Sequence, residues 1–122
     1  MRITVLETLY VAVGGAVGSV LRFWLGGWVA SKAGAPMWGT LFVNVTGSFI
    51  IGALAALASE RPITRFMVMI GIMGGYTTFS AFSLQTLELL QKGDTILGLA
   101  NIALSMILCL VGVWLGFRLL HS

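Results

Sequence analysis

Apolar residues fill four long blocks of this chain, and short polar connectors separate them. The first block runs from about Val5 to Ala30, the second from about Gly39 to Ala58. The third spans about Thr64 to Leu90 and the fourth about Thr95 to Leu120, with connectors at residues 31–38, 59–62 and 91–94. Each block holds the roughly 20 residues that a helix needs to cross the hydrocarbon core of a bilayer. The pattern predicts an all-α membrane protein, with four transmembrane helices forming a single domain over residues 1–122. The first block is longer than a signal-peptide core and lacks a small-residue cleavage site, so it reads as a retained span.

The third block departs from its neighbours. In its middle stands the run Gly74-Gly75-Tyr76-Thr77-Thr78-Phe79-Ser80-Ala81-Phe82-Ser83. Paired glycines and paired β-branched threonines are poor helix formers, so the third helix is expected to break near residues 74–78. Backbone released from a helix survives at membrane depth only when buried in protein or lining a polar cavity. Broken membrane helices commonly mark the place where an ion or substrate is held.

Composition agrees with four spans and little else. Hydrophobic residues make up 58% of the chain and charged residues 9%, far below the roughly 25% of a soluble domain, and mean hydropathy is +1.02. The net charge of +3 comes from scattered residues and forms no basic patch, which gives nucleic-acid binding no support. With four spans, Arg2, Arg61, Arg65 and Arg118 fall on one side, and Lys32, Lys92 and Arg22 on the other. Four against three is a weak excess for the positive-inside rule. It reflects either a small count or a chain that inserts both ways and pairs antiparallel. Small residues recur at helical spacing as Gly14, Gly18 and Gly26, and again as Gly112 and Gly116, the pattern of closely packed membrane helices.

Polar side chains inside the blocks form stripes. Thr40, Asn44 and Ser48 share one face of the second block, and Asn101, Ser105 and Cys109 one face of the fourth. Phe79 and Phe82 share a face of the third, with Ser80 and Ser83 on a neighbouring one. Such stripes can serve simply as hydrogen-bond glue between helices. Asn44 asks for more, because its amide carries two donors that a lone helix cannot satisfy. Carboxylates sit only near block ends (Glu7, Glu60, Glu88, Asp94), and Cys109 is the one cysteine. No nucleophile–base pair or metal-ligand cluster is present, so no enzyme chemistry is expected. Amides, hydroxyls and the positive edges of aromatic rings suit a small anion. Bringing a bare ion into low dielectric costs of order 20 kcal/mol by idealised reckoning, and a hydrogen bond to it returns about 1.5–3 kcal/mol. Several donor stripes must therefore converge, which predicts an oligomer.

These same residues resemble a known family. The stretch 39–44 (Gly-Thr-Leu-Phe-Val-Asn), the stretch 14–22 (Gly-Gly-Ala-Val-Gly-Ser-Val-Leu-Arg) and above all the run 74–83 are similar to the Fluc/CrcB fluoride channels. The resemblance implies an antiparallel, dual-topology homodimer in the bacterial plasma (inner) membrane. It implies passive, selective fluoride export that lowers cytoplasmic fluoride toxicity. By the same resemblance Asn44, Phe79, Phe82, Ser80, Ser83 and Ser105 line the fluoride pore, with Arg22 at an aqueous vestibule. Thr40 and Gln85 fall on its polar track. The carbonyls of Gly74 and Thr77 match those that hold a structural Na⁺ at the dimer centre. The chain differs from many members in having Gln85 for an acid, Asn101 for a tyrosine and Cys109 for a hydroxyl.

A small multidrug-type, proton-coupled transporter is the main alternative, since it too is a four-span dual-topology dimer. It requires a membrane-embedded carboxylate, and Glu7 stands too close to the start of its span.

Overall fold

The computed structural model describes residues 2–121. Four helical segments are long and apolar enough to cross a membrane: Val5–Ala33, Pro36–Leu57, Ile63–Gln91 and Thr95–Leu120. The chain is an integral membrane protein. Large hydrophobic side chains are exposed along all four spans, and the side chains buried within the chain are few: Met37, Leu41, Val43, Met73, Tyr76 and Phe82 are the hydrophobic ones.

The ends of the spans follow local chemistry. Thr4 caps the first helix by accepting from the Glu7 N–H (3.1 Å), while the Glu7 carboxylate accepts from the Thr4 N–H (2.9 Å). Two of the four N–H groups that a helix start leaves without partners are satisfied this way. The first connector is shorter than its polar composition suggests. Ser31 and Lys32 stay helical, Gly34 ends the helix at φ 88°, and Pro36 opens the next. A cation in the last turn and a proline in the first are both favourable at helix ends, so neither residue type breaks the spans here.

The third span is built in pieces. It begins as a π-helix over Ile63–Met73, continues as a short helix over Gly74–Tyr76, and resumes over Phe79–Gln91. Between the last two, Thr77 (φ −90°, ψ 154°) and Thr78 (φ −152°, ψ 119°) are extended.

Where helices meet, backbone meets backbone. A Cβ added at Gly18 would lie 2.1 Å from the Ile72 carbonyl oxygen, and one at Gly14 would lie 2.1 Å from that of Met67, so the first span seats directly on the π-helix. Gly39 lies equally close to Gly26 O, and Gly116 to Phe49 O, which closes the first span on the second and the second on the fourth. Between lipid-immersed helices there is no hydrophobic drive to associate, and close van der Waals approach supplies the attraction instead.

Overpacking such a contact costs about 1–3 kcal/mol. Gly18→Ala and Gly116→Ala are each expected to lower the thermal unfolding midpoint of the purified protein in detergent. Gly27→Ala, which meets nothing within 4 Å, is expected to leave it unchanged or raise it.

Candidate functional site

The two extended threonines release the backbone, and the helices around them take up what is released. In an uninterrupted helix the Thr78 N–H would donate to Gly74 O and the Ala81 N–H to Thr77 O. Here the Thr78 N–H donates to Asn44 Oδ1 (2.7 Å), and Asn44 Nδ2 donates back to Thr78 O (3.0 Å). The Ala81 N–H donates to Thr78 Oγ1 (3.2 Å), so Thr78 is the N-cap of the helix Phe79–Gln91. The carbonyls of Gly74 and Thr77 thereby lose their helical donors. Thr77 itself closes the preceding turn, its N–H and Oγ1 both donating to Met73 O (3.1 and 2.9 Å).

Neighbouring side chains fit this interruption closely. Tyr76 is buried, and its hydroxyl meets Thr46 Oγ1 of the second span at 2.9 Å. Gly47 makes room for both residues, since a Cβ there would lie 2.3 Å from Thr77 Cγ2. From the first span, Arg22 Nε donates to Gly75 O (2.9 Å), a carbonyl whose helical donor would have been the Phe79 N–H.

An open groove of about 660 Å³ runs along this face. Asn44, Ser48, Gly74, Thr77, Thr78, Phe79, Phe82, Ser105 and Cys109 line it, with Arg65 at the N-terminal end of the third span. No carboxylate does. The two phenylalanine rings stand 5.2 Å apart, centroid to centroid, and are tilted by 51°. Their settings differ: Phe82 is 7% exposed within the chain, whereas Phe79 is 69% exposed and projects from it.

A chain of hydrogen bonds fixes the far wall. Asn101, only 2% exposed, donates through Nδ2 to Thr86 Oγ1 (3.0 Å), and Thr86 donates to Phe82 O (2.8 Å). Ser105 Oγ donates to Asn101 Oδ1 at a long 3.4 Å. Because the chain ends on a carbonyl, which only accepts, every proton in it points toward Phe82. Ser105 therefore turns a lone pair to the groove, and must rotate to greet an anion. The neutral bond it surrenders is worth about 0.5–1.5 kcal/mol and the charged one it gains about 1.5–3 kcal/mol, so the rotation is favourable.

Of the residues singled out in the sequence, Asn44, Phe79, Phe82, Ser105, Gly74 and Thr77 share this groove. Thr40, Ser80, Ser83, Gln85 and Arg22 lie outside its lining. Ser83 donates back to Phe79 O (2.9 Å), and Ser80 contacts Thr78 Oγ1 (3.1 Å). Gln85 Oε1 is buried without a hydrogen-bond partner. Tyr76, Thr46, Gly47 and Thr86 escaped the sequence reading. Asn101 and Thr86 stand in separate spans, and only the Asn101 half of that pair was visible as a polar residue in an apolar block.

The family model described as "CrcB-like protein, Camphor Resistance (CrcB)" matches residues 9–117. The chain belongs to the CrcB family. Several curated relatives are similar over most of both chains, and each is named a fluoride-specific ion channel, FluC. One from Rhodospirillum rubrum is 50% identical over 115 residues, covering 88% of this chain and 89% of its own. One from Opitutus terrae is 53% identical (88% and 87% covered), and one from Rhizobium meliloti 48% (93% and 95%). Within this CrcB chain the Asn44 amide is the main tie across the interruption. Its removal strands the Thr78 N–H, and a buried unpaired group costs about 1–3 kcal/mol. Asn44→Ala is expected to lower the thermal unfolding midpoint in detergent. Asn44→Asp, which sets a carboxylate oxygen against Thr78 O, is expected to lower it at least as much.

Proposed function

We propose that this chain is a fluoride-selective channel, not an enzyme, that lets fluoride leave the cell passively and so lowers its toxicity in the cytoplasm. The observation that carries the reading is the carboxylate-free groove over the Thr77–Thr78 interruption, in a chain 48–53% identical to relatives named for fluoride. Asn44 lines the groove and keeps one amide N–H beyond the one given to Thr78. The positive edges of Phe79 and Phe82 and, once rotated, the hydroxyl of Ser105 extend the path as donors of the right sign, with the Ser80 and Ser83 hydroxyls beside it, outside the groove's lining. Thr40 and the unpartnered Gln85 amide belong to a polar track beside the rings.

The working unit in this reading is an antiparallel homodimer of dual topology in the bacterial inner membrane. Phe79 projects from the chain, and the groove lacks a wall that a second copy would supply. Gly74 and Thr77 line that groove and carry carbonyls without helical donors, and hard cations are bound by oxygen. These are the groups that would hold a Na⁺, two from each copy. Such an ion would supply a fixed positive charge that ties the two interruptions together. Arg22 keeps its Nη fork for anions near a vestibule.

A proton-coupled multidrug transporter has no support here. Its embedded carboxylate is missing from the groove, and Glu7 is engaged in the capping box of the first helix.

Reconstitution into liposomes tests the proposal. The wild type is expected to release trapped fluoride and retain chloride, and no fluoride efflux would end the reading. Phe82→Ile is expected to suppress the flux by an order of magnitude or more while the dimer persists in size-exclusion chromatography, since about 1.4 kcal/mol of lost ring-edge contact is already tenfold.

A further inference from the structure

We propose that Arg22 is a positioning residue: it caps the first half of the third span at Gly75 and so decides which carbonyls the interruption offers to a ligand. Four carbonyls in succession lose helical donors, those of Gly74, Gly75, Tyr76 and Thr77. Arg22 takes Gly75 out of this set with a 2.9 Å bond from Nε. Gly74 and Thr77 remain on the groove, one helical turn apart.

The seat of Arg22 is fixed by packing. A Cβ added at Gly75 would lie 2.6 Å from Gly15 O and 3.2 Å from Ser19 N, so the first span crosses the third at this residue. Gly18, in the next turn, abuts Ile72 O and Tyr76 N just as closely. Arg22 follows one turn further on and is half-buried.

The cap and an anion-gathering role make opposite demands on substitutions. The Gln side chain carries its Nε2 at the same reach as Arg Nε, without the charge. Lys keeps the charge but has a methylene at that atom. A cap is preserved by Arg22→Gln and weakened by Arg22→Lys, and a simple collector of anions behaves in reverse.

Hydrogen–deuterium exchange on the purified full-length protein in micelles reads this directly. Loss of one charged hydrogen bond corresponds to about tenfold. Amides of residues 75–81 are expected to exchange about tenfold faster in Arg22→Lys and Arg22→Ala, and near the wild-type rate in Arg22→Gln. Unchanged exchange in Arg22→Lys and Arg22→Ala, or fast exchange in Arg22→Gln alone, would overturn the cap. A second readout rests on the proposed central cation. The Na⁺ concentration that supports half-maximal fluoride efflux should rise in Arg22→Lys and stay near wild type in Arg22→Gln. If wild-type efflux ignores Na⁺ while the exchange pattern holds, the cation reading falls and the cap stands.

Discussion

Lipid offers no hydrogen bonds, and the arrangement of this protein follows from that constraint at Thr77 and Thr78. Two extended residues in a membrane span release several backbone groups, each costing several kcal/mol if left bare in hydrocarbon. The chain reassigns several of them with three side chains. Asn44 takes the N–H and carbonyl of Thr78, Thr78 Oγ1 takes the Ala81 N–H, and Arg22 takes Gly75 O. Selective satisfaction is what makes the interruption more than a defect. Every donor taken by one of these side chains is a donor withheld from Gly74 or Thr77.

The packing around the interruption has to be close, because these bonds reach across helices. Asn44 can grip Thr78 only if the second span lies tight against the third, and Gly47 provides that room. Arg22 reaches Gly75 only because Gly14, Gly18 and Gly75 itself bring the first and third spans into backbone contact. Stripes of glycine are therefore linked to the polar groups in one mechanism: small residues set the spacing, and the spacing sets the hydrogen bonds. On the far wall Asn101 and Thr86 do for Phe82 what Asn44 does for Thr78, holding a short segment by a bond that ends on a main-chain carbonyl.

Much of this was legible in the sequence. Four spans stand out because apolar runs of this length have few other uses, and span ends differ from the sequence reading by no more than three residues. Asn44 and Asn101 stand out as amides in apolar blocks, and the paired glycines and threonines mark where the helix weakens. What hid were the partners. Nothing in the spacing of Arg22 says that its Nε meets Gly75 rather than water, since that bond spans 53 residues and depends on how two helices cross. Thr46, Gly47 and Tyr76 look like ordinary helix residues until the second span is laid against the third. The π-helical winding of Ile63–Met73 leaves no mark in the apolar pattern either, because the run is hydrophobic on most sides.

Interrupting a helix also gives two ends of opposite polarity at one depth of the membrane. The first half ends in carbonyls and the second begins in N–H groups, under Thr78 as cap. A cation and an anion can thus be addressed within a few residues without any ionised side chain in the groove. A carboxylate there would bind a cation more strongly, but it would repel an anion in the same groove. Main-chain dipoles separate the two tasks, because their fields fall off within about a turn of the helix end. A single chain nevertheless leaves Gly74 and Thr77, whose carbonyls lack helical donors, on an open groove, and the Phe79 ring exposed beside them. In lipid the carbonyls are costly and the ring has no ion to face. Covering this face with a second, inverted copy removes both difficulties at once, which is why the proposed dimer and the proposed pore stand or fall together.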